Sequence, residues 1–172
     1  MYDRWYQNMT NNFSPLVSII TPSFNSVEFI EQTILSIINQ TYRNIEYIVI
    51  DGGSTDGTFE ILKKYEHAIS VLIIEPDEGM YQAINKGIMI SKGSIVAYLN
   101  SDDRYFLNTI EIIVEEFRNN PNADLLYGDM YFVSQDGKIL FNQKYPDFIL
   151  DRLILSDYCM IGQPASFWSR NL

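Results

Sequence analysis

One cysteine, Cys159, and one histidine, His67, are all that the 172 residues contain of those two types. A lone cysteine excludes an intramolecular disulfide and a multi-cysteine zinc site, and it suits a reducing compartment. His67 lies in a polar stretch and reads as a surface residue rather than a base. Long apolar runs are also missing. No stretch reaches the roughly 18 residues that a membrane-crossing helix needs. The start, Met1-Tyr2-Asp3-Arg4-Trp5-Tyr6, lacks the apolar region of a signal peptide. The expectation is a cytoplasmic protein, with contact at the inner face of a membrane left open by two short apolar stretches, Phe148-Ile149-Leu150 and Leu153-Ile154-Leu155. Positive charge is scarce too. Twelve Lys and Arg face 22 Asp and Glu, for a net charge of -10. That sign argues against a grip on a phosphate backbone, so no nucleic-acid partner is expected. An acidic protein can still bind an anionic nucleotide if a divalent cation sits between them.

What is present is the composition of a folded domain, 47% hydrophobic and 14% aromatic. Residues 1–15 read as a loose arm and 16–172 as one domain. Leu16 to Thr21, Tyr47 to Ile50, Val71 to Ile74 and Ser94 to Leu99 are apolar, β-branched runs that suit buried strands. Helical stripes alternate with them: Val27 to Ile38, a helix carrying Phe59, Ile61 and Leu62, Gly79 to Ile90, and Leu107 to Phe117. Four strand–helix repeats predict an α/β fold, a mostly parallel sheet with helices on both faces. After Pro121 the pattern changes. Asp124 to Val133 and Lys138 to Gln143 flank Ser134-Gln135-Asp136-Gly137, which predicts a C-terminal β-hairpin region. The stretch from Lys144 onward reads as one short apolar segment and then irregular sequence.

Ligands of such a sheet bind outside the carboxyl ends of its strands. Four segments meet that edge: Thr21-Pro22-Ser23-Phe24-Asn25, Asp51-Gly52-Gly53-Ser54, Glu75-Pro76-Asp77-Glu78-Gly79 and Asn100-Ser101-Asp102-Asp103. Turns explain Asp and Gly at such places, but they do not require carboxylates after three of four strands. The adjacent Asp102 and Asp103 repel one another unless solvated, paired or holding a cation. A hard divalent ion with oxygen ligands is the functional alternative to a solvated turn. Other sites are excluded by pattern. The Gly52 to Gly57 segment lacks the G-x-G-x-x-G spacing, no G-x-x-x-x-G-K-[ST] occurs, and no G-x-S-x-G accompanies the single histidine. An acidic site that uses a cation, beside a Gly-rich loop, remains.

Six segments together resemble the family 2 glycosyltransferases of the GT-A (Rossmann-like) fold. They are Val17 to Asn25, Ser36 to Tyr42, Glu46 to Thr58, Glu75 to Tyr81, Ala83 to Gly87, and Leu99 to Asp103. The match is closest to a subgroup of bacterial surface-polysaccharide synthesis whose fourth strand ends Leu-Asn-Ser-Asp-Asp. The resemblance implies an inverting transfer from a nucleotide-sugar donor, usually a UDP-sugar, to a glycan or lipid-linked acceptor. It implies donor contacts at Thr21, Pro22, Phe24, Asp51, Asp77, Asn85, Asn100 and Asp102, with Asp51 on the base. It implies a divalent metal, Mg or Mn, at Asp102 with Asp103 beside it. Two positions depart from the family pattern. Asn100 stands at the first position of D-x-D, where an amide suits a ribose contact better than a metal bond. Ile84 stands where many relatives carry Arg. The family's catalytic base is an Asp beyond the segment resembling Gly162 to Trp168, so it is expected beyond Leu172. Asp129, Asp147, Asp151 and Asp157 do not match that position. Two other readings of the same residues are a nucleotide-sugar-binding fragment without transfer, and a receiver-like phosphoacceptor, which also gathers acids at parallel strand ends.

Overall fold

The computed structural model describes residues 14–147 and 161–172. The expected alternation is present. Strand β1 (Val17–Ser23) is followed by α1 (Ile30–Ile38), β2 (Ile45–Asp51), α2 (Thr58–Lys64), β3 (Val71–Ile74), α3 (Met80–Ile90), β4 (Ile95–Tyr98) and α4 (Thr109–Asn119). Three short strands come next, β5 (Leu125–Tyr127), β6 (Met130–Val133) and β7 (Ile139–Gln143). Strand β8 (Ser166–Ser169) closes the described chain. Two helices begin later than their apolar stripes suggest. Val27 lies in the turn before α1, and Leu107 in the turn before α4.

Six strands form one sheet in the order β3-β2-β1-β4-β8-β5. The first four run parallel, and β8 lies antiparallel between β4 and β5. All seven residues of β1 are buried, Ser18, Thr21 and Ser23 included. A central parallel strand covered on both faces has no solvent side, which is why its sequence does not alternate in polarity. Its side chains still alternate in direction. Ile19, Tyr47, Val49 and Ala97 join Ile34, Leu62 and Ile110 in one core, on the face of α1, α2 and α4. Ile20, Ile48, Ile50 and Val96 join Ala83 in a second core, under α3.

The chain reverses direction across the sheet at β1, which has β2 on one side and β4 on the other. That reversal opens a crevice at the carboxyl ends of these strands. Two corrections to the sequence reading follow from the C-terminal half. Asp124 to Val133 is not one hairpin arm. It breaks at Gly128-Asp129, so that β5 enters the main sheet and β6 pairs with β7. Ser166–Ser169, read as irregular, is a strand. Four residues are too few to show a period, and partners on both sides supply the stability that the local pattern lacks. The hairpin turn at Ser134 to Gly137 stands as expected, with Gly137 at φ +83° and its N–H donating to Ser134 O at 2.8 Å. Most of the proposed arm, the two apolar stretches between 148 and 155, Cys159, Asp151 and Asp157 lie outside the described residues. Among the described residues no helix is long and apolar enough to cross a membrane.

Candidate functional site

Three loops at the carboxyl edge are tied together by side chains that bond backbone and, at Ser26 and Ser101, one another. Asp51 ends β2 fully buried. Its Oδ1 accepts the Gly53 N–H at 3.1 Å and the Ser54 N–H at 2.8 Å, and its Oδ2 accepts the Ser54 hydroxyl at 2.6 Å. The carboxylate thus fixes the Gly52-Gly53-Ser54 turn, with Gly53 at φ +85°. Ser54 Oγ in turn accepts the Asn25 N–H at 2.8 Å, and Asn25 Oδ1 accepts the Thr55 N–H at 2.9 Å. Asp56 accepts from Val27 N and from the N–H and hydroxyl of Thr58. The Thr58 hydroxyl pulls its pKa below the usual carboxylate range. Thr58 Oγ1 accepts the Ser26 N–H at 2.8 Å, and Ser26 shares a hydrogen bond of 2.7 Å with Ser101. From below, the buried Thr33 of α1 shares its hydroxyl proton between Ser101 O and Asp103 O, at 2.8 and 2.9 Å. The loops after β1, β2 and β4 are one hydrogen-bonded unit.

An open cleft of about 700 Å³ lies between this unit and the start of α3. Of the residues expected at a site, Pro22, Phe24, Asp77, Asn100 and Asp102 line it. Phe24 presents 61% of its surface to solvent, and a ring exposed at a cleft mouth can stack on a planar ligand. Asp77 Oδ1 caps the Gly79 N–H at 2.8 Å. Its carboxylate lies so close to Gly52 that a Cβ there would meet Oδ2 at 3.0 Å. Four expected residues lie outside the lining, Asp103 among them. Thr21 is buried and accepts the Tyr47 hydroxyl at 3.3 Å. Asp51 is engaged with its own turn. Asn85 is exposed on α3, whose residues Met80 and Ala83 face the cleft instead. Ile84 is buried under α3 rather than turned to the cleft.

Ser26 and Phe29, outside the segments singled out at the strand ends, also line the cleft, as do Ser23, Asn25 and Ser101, which those segments contain without a role of their own. Their signal was position alone, since Ser23 ends β1, Asn25, Ser26 and Phe29 follow it by up to six residues, and Ser101 lies three beyond the end of β4. Ser23 Oγ and Asn100 Oδ1 are buried without a hydrogen-bond partner, unlike nearly all buried polar atoms.

The Asp102-Asp103 corner sets two carboxylates side by side, Asp102 exposed and Asp103 partly buried. Burial, and then the neighbouring Asp102 charge, push Asp103 up to about 6, while the Asn100 N–H opposes the rise. Among the described residues no group of three or more His, Cys, Asp or Glu converges on one point. Mg²⁺ typically uses one or two carboxylates and completes its shell with phosphate oxygens and water. Asp102, Asp103 and the unbonded Asn100 Oδ1 are hard oxygen donors of that kind, so the residues fit the group.

The family model for glycosyl transferase family 2 matches residues 18–165. Among curated proteins the chain is similar to the putative teichuronic acid biosynthesis glycosyltransferase TuaG of Bacillus subtilis (strain 168). The two are 36% identical over 129 residues, 73% of this chain and 51% of TuaG. The chain spans about half the length of the curated relatives first matched. Among solved structures it resembles S. aureus TarS 1-349 in complex with UDP-GlcNAc, with TM-score 0.63, 18% identity, and 90% of this chain over 45% of that one. It also resembles the mannosyltransferase PcManGT from Pyrobaculum calidifontis in complex with GDP-Man and Mn²⁺, with TM-score 0.61, 21% identity, and 73% of this chain over 42% of that one. At those identities the structures establish the fold. With the family model covering most of its length, the chain belongs to glycosyl transferase family 2.

Proposed function

We propose that this chain is the donor-binding half of an inverting glycosyltransferase that takes a nucleotide-sugar, a UDP-sugar in the first instance, for cell-surface polysaccharide synthesis. The observation that carries the proposal is the acidic corner at the reversal point of the sheet, opening on a cleft of about 700 Å³. That size suits one nucleotide-sugar. Phe24 and Pro22 offer apolar surface to the base and ribose, and Asp77 offers an acceptor. Asp102 and Asp103 would hold the divalent cation. When bound, that ion neutralises charge on the diphosphate as it becomes the leaving group. The chain's own part is placement. Thr33 holds the carbonyls of Ser101 and Asp103 and Ser26 the Ser101 hydroxyl, so the loop that carries the carboxylates is fixed before the donor arrives, and preorganisation of that kind lowers the cost of binding. The acceptor is a glycan or a lipid-linked glycan, and its activation is left to a base outside this cleft. The names of TuaG and of the TarS and PcManGT complexes support the reading.

Calorimetric titration of UDP with Mn²⁺ and in EDTA tests it. The expected result is affinity that rises at least about tenfold with Mn²⁺ and loses that gain in Asp102→Asn, about 1.4 kcal/mol. A chain that binds UDP no better with Mn²⁺ than in EDTA, or not at all, is not a metal-assisted donor site. The receiver-like alternative predicts that second outcome.

A further inference from the structure

Asn100 sits where a carboxylate is common, and its surroundings explain the amide. Its Nδ2 donates twice, to Asp103 Oδ2 at 3.2 Å and to Gln163 Oε1 at 3.0 Å. Gln163 spans the gap in the other direction, since its Nε2 donates to the carbonyl of Tyr98, the last residue of β4, at 2.8 Å. Turning the Asn100 amide over, or replacing it by Asp, would set an oxygen against two acceptors at those distances. The amide is therefore held in one orientation, and that orientation leaves Oδ1 buried and unbonded.

Gln163 is itself held rigidly. It opens a short 3-10 turn, Gln163–Ala165, that leads directly into β8. The Ala165 N–H donates to Gly162 O at 3.1 Å, the Ser166 hydroxyl to the same carbonyl at 2.7 Å, and the Gly128 N–H to Ala165 O at 3.1 Å. At Gly162 there is no room for a side chain, because a Cβ would meet Tyr145 Cε2 at 2.6 Å. Strand β8 pairs with β4, Val96 opposite Trp168. The platform is thus built on the same strand whose end carries the acidic corner.

We infer that Gln163 is a positioning residue of the cation corner, acting through Asn100 to orient Asp103 and selecting an amide over a carboxylate at position 100. The inference rests on the reading of this corner as the cation site of a donor pocket. Its consequence is specific. Gln163 lies on the C-terminal side of the sheet and does not line the cleft. Its loss should therefore act on the cation-dependent part of donor affinity and spare the contacts of base and ribose.

The test compares the wild-type chain with Gln163→Ala, Gln163→Met, Asn100→Ala and the Asn100→Ala/Gln163→Ala double variant. UDP binding is measured by calorimetry with Mn²⁺ and in EDTA, and Mn²⁺ binding by electron paramagnetic resonance. Each Gln163 variant is expected to weaken Mn²⁺-dependent UDP affinity about five- to tenfold, the worth of one well-placed hydrogen bond, and to leave affinity in EDTA within about twofold. Gln163→Met keeps the side-chain length and serves where Gln163→Ala loosens the fold. In the double variant the Gln163 change should add nothing to Asn100→Ala, because residues acting through one contact are not additive. Equal losses with Mn²⁺ and in EDTA, unchanged Mn²⁺ affinity, or full additivity would each overturn the inference while the donor-site reading stands. A wild-type chain without Mn²⁺-dependent UDP affinity would remove that reading and this inference together.

Discussion

Asp103 is where charge and burial conflict most sharply in this site. Its carboxyl holds a proton up to about pH 6 in the folded chain, against an ordinary value of 3.8, chiefly through burial and then through the charge of Asp102. Between those two values the folded state binds more protons than the unfolded state, so stability falls as pH rises through the window. Above about pH 6 the group is charged in both states and its destabilisation is complete. Asp103→Asn keeps the shape and removes the charge. It should melt a few degrees above wild type at pH 7.5 and about level with it near pH 4, the size discounted for partial exposure. Scanning calorimetry at the two pH values reads this directly. A gain equal at both would place the effect elsewhere. The same proton competes with a cation, so Mn²⁺ affinity should drop below about pH 6 in wild type. At this scale the sequence was informative about type more than about contact. Two adjacent carboxylates after a buried strand pointed to the sheet edge where the cleft opens, and Asp102 lines that cleft. That Asp51 would bond its own Gly-Gly-Ser turn was hidden, because two of its three donors are backbone N–H groups that every residue carries.

Elements were more legible than contacts, for reasons visible in particular segments. The first four strands and their helices declared themselves because both faces of the sheet are covered, which makes each strand a continuous apolar run. Strand β8 has no such run. Its Ser-Phe-Trp-Ser is a strand because β4 and β5 lie on either side of it. The break at Gly128-Asp129 was equally invisible, since the apolar pattern continues through it while the pairing partner changes. Helix α3 shows a tighter constraint. It lies on β1 so closely that a Cβ at Gly87 would fall 2.4 Å from Ile20 Cγ2 and 2.9 Å from Ile20 Cγ1. Alanine in a helix is favoured over glycine by about 1 kcal/mol, whereas overpacking costs about 1–3 kcal/mol. At 2.4 Å from a branched, fully buried side chain the steric cost dominates. Gly87→Ala should destabilise the chain by about 1–2 kcal/mol in urea unfolding. Because Met80 and Ala83 of the same helix line the cleft, UDP affinity should fall as well. A stabilised variant would mean that α3 can move away from β1 without loss.

For the molecule as a whole, the net charge of -10 sets the order in which ligands are welcome. UDP is an anion approaching an acidic surface, and Mn²⁺ is a cation approaching a corner that carries two carboxylates. Long-range repulsion between exposed charges weakens as salt shortens the Debye length from about 10 Å at 0.1 M to about 3 Å at 1 M. Raising NaCl should therefore have opposite effects on the two partners taken singly. Affinity for Mn²⁺ alone should fall, and the weak affinity for UDP in EDTA should rise or hold. Together the ligands oppose each other's charge, so the joint affinity should depend on salt less than that for Mn²⁺ alone. Thermal shift reads the same linkage. A ligand bound only by the folded state at about one hundred times its Kd adds about 2.7 kcal/mol, enough to raise Tm by about 5–10 °C in a domain of this size. UDP with Mn²⁺ should approach that rise, and UDP in EDTA should fall well short of it. If UDP in EDTA raised Tm as far as the pair does, the acidic corner would have no part in holding the nucleotide, and the carboxylates after β4 would be a solvated turn.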